Sequence, residues 1–101
     1  MRFLIINRPN SPGSDEWMEQ RPDKIAAMLR EWLEGGVVEA PHVLIGGGHM
    51  YICEAKDEEE LAVKVRYNPF FKNSDTEVIP IVDALAFLER YAEFTGQAAP
   101  D

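Results

Sequence analysis

The sequence predicts an α+β domain in which two β-α-β units interlock around one antiparallel sheet. Three observations predict it. Short runs rich in Ile, Val and Phe alternate with segments of helical period, in the order strand, helix, strand, strand, helix, strand, followed by one more helix. The two middle strands are separated only by Gly46-Gly47-Gly48, which predicts a hairpin. The strand-interior prolines, Pro41 and Pro80, fall in the second and fourth strands, which this arrangement places at the sheet edges, where a missing N–H donor is tolerated.

Each element has its own local reason. Arg2 to Arg8 is a short apolar run stopped by Pro9 and predicts β1. The next stretch, Pro9 to Ser14, is a loop by composition, and Ser14-Asp15-Glu16 suits the cap of a short turn carrying Trp17 and Met18. Ile25, Met28, Leu29, Trp32 and Leu33 recur at i, i+3, i+4, i+7 and i+8, one face of a helix, α1, from Pro22 to Glu34. Pro22 suits the first turn, Asp23 the positive end of the dipole, and Gly35-Gly36 the stop. Val37 to Ile45 predicts β2 and His49 to Ala55 predicts β3; with the triglycine as the turn, Ile45 faces His49. Asp57 and Glu60 form a capping box for α2, which Asn68-Pro69 ends. Thr76 to Val82 predicts β4, and Asp83 caps α3, whose stripe is Ala84, Phe87, Leu88, Tyr91 and Phe94.

Composition sets the outer bounds. The chain has 101 residues, 46% of them apolar, and a formal charge of −8. That is one ordinary domain, residues 1–96, with a flexible tail over 97–101. The acidic balance argues against non-specific binding to nucleic acid or to an anionic membrane. No apolar run approaches the ~20 residues of a membrane span, and the four apolar residues from Phe3 to Ile6 fall short of a secretory signal. The single cysteine, Cys53, has no internal partner. A cytoplasmic setting is the expectation.

The element order is that of the ferredoxin-like fold, with sheet order 4-1-3-2. Both sides of β1 are apolar, Phe3 and Ile5 on one and Leu4 and Ile6 on the other. Two helices cannot cover both faces of a four-stranded sheet, so a second copy of the chain is expected to cover the open one.

The chain resembles the muconolactone isomerase-like branch of the dimeric α/β-barrel superfamily. The likeness runs from Gly46-Gly47-Gly48-His49 through Glu59-Glu60-Leu61 to Asn68-Pro69-Phe70-Phe71 and Asp75-Thr76-Glu77-Val78-Ile79-Pro80, with Arg8-Pro9 closing β1. The resemblance implies a homodimer whose sheets face each other, a cavity for a small apolar or anionic organic molecule, and no metal or organic cofactor. It also implies a cofactor-free isomerase that shifts a double bond in a small lactone or cyclic acid by proton transfer. Non-catalytic metabolite binding, or an accessory role beside a protein partner, are the alternatives.

The topology brings the end of β1 and the starts of β3 and β4 to one end of the sheet. Asn7, Arg8, His49, Tyr51, Asp75 and Glu77 meet there if they share a face. His49 titrates near neutrality and is the expected proton carrier, with Asp75 as its orienting group or the base. Arg8 would pair a substrate carboxylate, and Tyr51 and Glu77 would complete the binding set over a floor of Ile6 and Val78. The competing reading is a rim salt bridge between Arg8 and Asp75 beside a solvated His49. Cys53 reads as a small buried hydrophobe, Trp32 as core, and Phe87, Tyr91 and Phe94 as a dimer contact. His42 and His49 are too far apart in the expected hairpin to share a metal ion.

Overall fold

The computed structural model describes residues 1–11 and 21–96. The turn expected around Trp17 and Met18 and the tail over 97–101 lie outside the described residues. The strands are β1 (Arg2–Pro9), β2 (Glu39–Val43), β3 (His49–Glu54) and β4 (Ser74–Ile81). The helices are α1 (Pro22–Glu34), α2 (Glu58–Tyr67) and α3 (Ala84–Phe94). The sheet order is β2-β3-β1-β4 with antiparallel neighbours, the ferredoxin-like arrangement, and Pro41 and Pro80 sit on its two edge strands.

The helices form for the reasons legible in their sequences. Pro22 begins α1, and Gly36 follows it at φ 72°, a conformation that costs glycine nothing. Asp57 accepts a 2.8 Å bond from the Glu60 N–H at the start of α2. Asp83 does the same for Ala86 at 2.9 Å at the start of α3.

Strand alternation sorts the sheet into two unlike faces. Phe3 and Ile5 of β1 and Tyr51 and Cys53 of β3 point to one face, where they pack with Val38, Ala55 and Val65. Leu29 and Trp32 of α1 and Leu61 of α2 close that core from above. Leu4 and Ile6 of β1 pair with Ile52 and Met50 of β3 and point to the opposite face. All four are half-buried, and Leu4, Ile6 and Ile52 take no part in the helix-side core. The α3 helix also leaves the body of the domain. Phe87, Leu88, Tyr91 and Phe94 are between 50% and 87% exposed. The Cα radius of gyration is 17.1 Å, against about 13 Å for a compact chain of 100 residues.

The β2–β3 hairpin differs from its expected register. Ile45 does not face His49; Val43 does, and residues 44–48 make the connection. The Leu44 N–H donates to the Gly48 carbonyl and the Gly47 N–H to the Leu44 carbonyl, both at 2.9 Å. Those bonds need positive φ at Gly47 and Gly48, and they throw Ile45 fully into solvent. His42 therefore pairs with Met50, one position from the His49 pair, and not three residues away. The distance argument against a shared metal fails with it. Among the described residues, however, no group of three or more His, Cys, Asp or Glu side chains is placed to hold a metal ion.

Gly48 is the fixed point of this turn. Its φ is +90°, and a Cβ built on it would collide with the Asn7 carbonyl oxygen and crowd Arg8 and Pro9. Gly46 has open space around it. Gly48→Ala is expected to lower unfolding stability by more than about 1–2 kcal/mol, the usual cost of left-handed backbone alone. Gly46→Ala should stay within about 0.5 kcal/mol of the parent. Denaturant unfolding of both variants at one protein concentration checks this; equal midpoints would contradict the turn geometry.

Candidate functional site

The expected site residues do reach one end of the sheet, but they divide between its faces. Arg8 pairs with Asp75, and Ile6 with Glu77, on the side away from the helices. His49 pairs with Asn7, and Tyr51 with Ile5, on the side under the helices. The single constellation of Arg8, His49, Tyr51, Asp75 and Glu77 is therefore not formed. The cause is the two-residue period of a strand: Asn7 and Arg8 are neighbours in sequence and face opposite ways. The floor divides likewise, since Val78 is aligned with Ile5 while Ile6 faces the other side.

On the open face the polar groups satisfy one another. Arg8 Nη1 lies 2.9 Å from Glu77 Oε1, both side chains more than half exposed. A rim ion pair does form, but its acid is Glu77. Asp75 Oδ1 instead accepts from Asn10 Nδ2 at 3.2 Å. An exposed pair of this kind contributes at most about 1 kcal/mol.

The helix-covered face holds a cavity of about 110 Å³ between α1 and the β2–β3 hairpin. The helical stripe of Ile25, Met28, Leu29 and Trp32 forms one wall, Pro41 and Val43 line it from β2, and Val38 from the segment just before that strand. Trp32 is thus half-buried and lines a pocket, beyond the core role its spacing suggested. His42, His49, Met50, Tyr51, Asn68 and Phe70 make up the remaining wall. Most of the lining is apolar; His49, Tyr51 and Asn68 gather at one end, with His42 contributed from β2, the usual make-up of a small-molecule site.

That polar end is tightly organised. The Phe70 ring meets the His49 ring edge-on with centroids 5.4 Å apart, and Tyr51 stacks nearly parallel to His49 at 6.1 Å. Asn68 Nδ2 lies 2.9 Å from His49 Nε2 and 3.3 Å from Asn7 Oδ1. Asn68 Oδ1 accepts from the Phe70 N–H at 2.9 Å. Asn7 in turn donates through Nδ2 to Ser74 Oγ at 3.0 Å and Thr76 Oγ1 at 2.8 Å. Asn7 and Asn68 are only 1% and 6% exposed. Buried amides so placed must be fully partnered, and these are.

Two further groups take no ionised role at neutral pH. Burial pushes the Tyr51 phenol up to about 12, with the nearby Asn68 amide opposing part of that rise. The Tyr51 hydroxyl is buried with no hydrogen-bond partner of good geometry. Burial also raises the Cys53 thiol, and Lys64 pulls it back only in part. Cys53 is 1% exposed, so it behaves as the small buried hydrophobe its strand position suggests.

Asn68 was legible only as a helix stop, and Asn7 only as a residue near the right end of the sheet. One signal for Asn7 was available: it continues the alternation of Phe3 and Ile5, so its amide faces inward.

Comparison with known proteins supports the architecture. No protein-family profile matches the chain, and no curated protein sequence matches it. Among solved structures it is similar to 5-chloro-2-hydroxyhydroquinone dehydrochlorinase (TftG) from Burkholderia phenoliruptrix AC1100, solved in complex with 2,5-dihydroxybenzoquinone. The TM-score is 0.63 at 23% identity, over 85% of this chain and 98% of the neighbour. The likeness establishes a shared ferredoxin-like fold.

The Tyr51 environment makes alkaline stability a readout of the cavity. The unfolded phenol loses its proton near pH 10, while the folded one holds it to about 12. Between those values the unfolded chain binds fewer protons, so stability falls as pH rises and is unaffected below that window. Tyr51→Phe should remove this part of the alkaline loss and leave neutral-pH stability unchanged or slightly raised, because an unpartnered hydroxyl is deleted. Denaturant midpoints of parent and variant across that pH range check it; parallel alkaline slopes would contradict the buried, unpaired phenol.

Proposed function

We propose that the protein is a homodimer that binds a small oxygenated ring compound in the cavity beneath α1, with His49 as its proton-transfer group. The cavity carries this reading. Its volume of about 110 Å³ is of the order of a cavity of about 150 Å³ that takes one benzene ring. Its walls suit the faces of a ring, and its polar groups cluster at one end to meet ring oxygens. The structural neighbour is named for action on a chlorinated hydroxyhydroquinone and was solved with a dihydroxybenzoquinone. A ring of that class, apolar on its faces and acidic at its rim, matches the lining found here.

For such a ligand the chemistry is movement of a proton. The base takes a proton from a ring carbon or hydroxyl, charge builds on a ring oxygen, and the same proton is returned at another ring atom. An imidazole suits both halves, because its ordinary pKa of about 6.5 lets it take and return a proton near neutrality. A lactone or cyclic acid that shifts a double bond is one substrate of this kind. Arg8, Asp75 and Glu77 lie across the sheet from this cavity and take no part in it.

The dimer follows from surface that needs burial. Leu4, Ile6 and Ile52 form an apolar sheet face turned away from the helix-side core. Phe87, Leu88, Tyr91 and Phe94 form an apolar stripe on an arm that leaves its own domain. A second copy supplies a match for both, and burying each large apolar side chain contributes about 1.5–3 kcal/mol. Binding without catalysis is the second reading, favoured if the cavity fills while no proton exchange occurs.

2,5-Dihydroxybenzoquinone is the probe. Light scattering should give a dimer of about twice 11.5 kDa, and the probe, added to isotope-labelled protein, is expected to move resonances of α1, His49 and Phe70. His49→Ala should weaken the response at least about tenfold, the loss of one charge-assisted hydrogen bond. Shifts confined to Arg8, Asp75 and Glu77, or no shifts, would overturn the proposed site.

A further inference from the structure

We infer that Asn68 is the positioning residue of this site: its amide donates to His49 Nε2 and holds the ring neutral, with its proton on Nδ1 and its lone pair on Nε2. The inference rests on the proton-transfer reading of the cavity and names the residue that fixes the His49 tautomer before a ligand enters.

The direction of every bond in the chain can be worked out from two groups that have no choice. The Phe70 N–H only donates, and it points at one oxygen-type position of Asn68, 2.9 Å away. That atom is therefore Oδ1, and the other end of the amide is Nδ2. The Phe70 carbonyl only accepts, and Ser74 Oγ gives it a proton at 2.8 Å. Ser74 Oγ has then spent its hydrogen and accepts from Asn7 Nδ2. That orientation turns Asn7 Oδ1 toward Asn68. The two hydrogens of Asn68 Nδ2 go to Asn7 Oδ1 and His49 Nε2. A nitrogen that receives an N–H must present a lone pair, so Nε2 carries no proton and a neutral ring carries it on Nδ1.

The arrangement resists both ways of escape. Turning the Asn68 amide over would aim its NH₂ at the Phe70 N–H, donor against donor, in a position 6% exposed. Protonating Nε2 would set an N–H against Nδ2 and break the 2.9 Å bond. Burial of Asn68 makes turning its amide over costly, because water cannot readily replace the partner there. The consequence is a ring held in one tautomer at rest, its Nε2 lone pair engaged by Asn68, so that a ligand's proton reaches Nε2 only when this bond is exchanged. Asn68 touches His49 and acts through it.

Nitrogen-15 spectra of the full chain read this directly, since protonated and unprotonated ring nitrogens resonate far apart. His42→Gln assigns the two rings. In the parent, at a pH well above the ordinary imidazole value of about 6.5, His49 Nε2 should show the unprotonated shift and Nδ1 the protonated one. Asn68→Asp keeps an oxygen for the Phe70 N–H but replaces the donor by a carboxylate. At the same pH His49 Nε2 should then become protonated, with loss of its unprotonated signal. A parent spectrum with the His49 proton on Nε2 overturns the inference whether or not Asn68→Asp folds. An Asn68→Asp spectrum identical to the parent, with only a lower melting temperature, also overturns it by showing a merely structural role. The ring-binding reading fails separately, on a cavity that does not respond to 2,5-dihydroxybenzoquinone while the His49 nitrogens behave as stated.

Discussion

A carboxamide at the centre of the sheet has to be satisfied without water. Asn7 sits on β1, between β3 and β4, and is 1% exposed. An unsatisfied amide there would cost about 1–3 kcal/mol for each lost partner. Its bonds to Ser74 and Thr76 bind it to β4, and its bond from Asn68 reaches the loop after α2. Asn68 then reaches His49 on β3. One polar side chain in an apolar strand thus links both neighbouring strands and the α2–β4 connection. The Gly48 turn closes over its backbone carbonyl from the outside. These contacts fix the end of the sheet where the cavity has its polar groups.

The sheet makes two different surfaces out of alternate residues. Under the helices, apolar walls and a directed hydrogen-bond chain surround a volume of single-ring size. Away from the helices, Arg8 and Glu77 pair in solvent beside an apolar field of Leu4, Ile6 and Ile52. The first surface suits recognition of a small molecule, because its polar groups are few, buried and oriented. The second suits association, because its apolar area is broad and its charges already neutralise one another. The projecting α3 belongs with the second: among the described residues its apolar stripe is half or more exposed.

The architecture was legible because each level of the sequence pointed the same way. Apolar period, caps at Asp57 and Asp83, and edge prolines at Pro41 and Pro80 agree with one another and with the structure. The hairpin register was not legible, because Leu44 and Ile45 look like strand residues. Their place is decided by backbone hydrogen bonds that only Gly47 and Gly48 permit. The site was half legible. His49 and Tyr51 do face a cavity, but pairing them with Arg8 and Asp75 required a shared face that strand alternation denies. Asn68 carried a misleading local signal, since Asn-Pro explains the end of α2 with nothing left over. Its second role comes from folding back against β1 and β3, a contact that spans 61 residues to Asn7 and appears in no local pattern.

A crystal structure of the protein grown with 2,5-dihydroxybenzoquinone tests the central claim most directly. The account predicts ring density between α1 and the β2–β3 hairpin, with a ring oxygen or carbon in direct or single-water hydrogen-bond reach of His49 or Asn68. Density on the opposite face beside Arg8 and Glu77, or a cavity filled by a side chain of the protein itself, would contradict it.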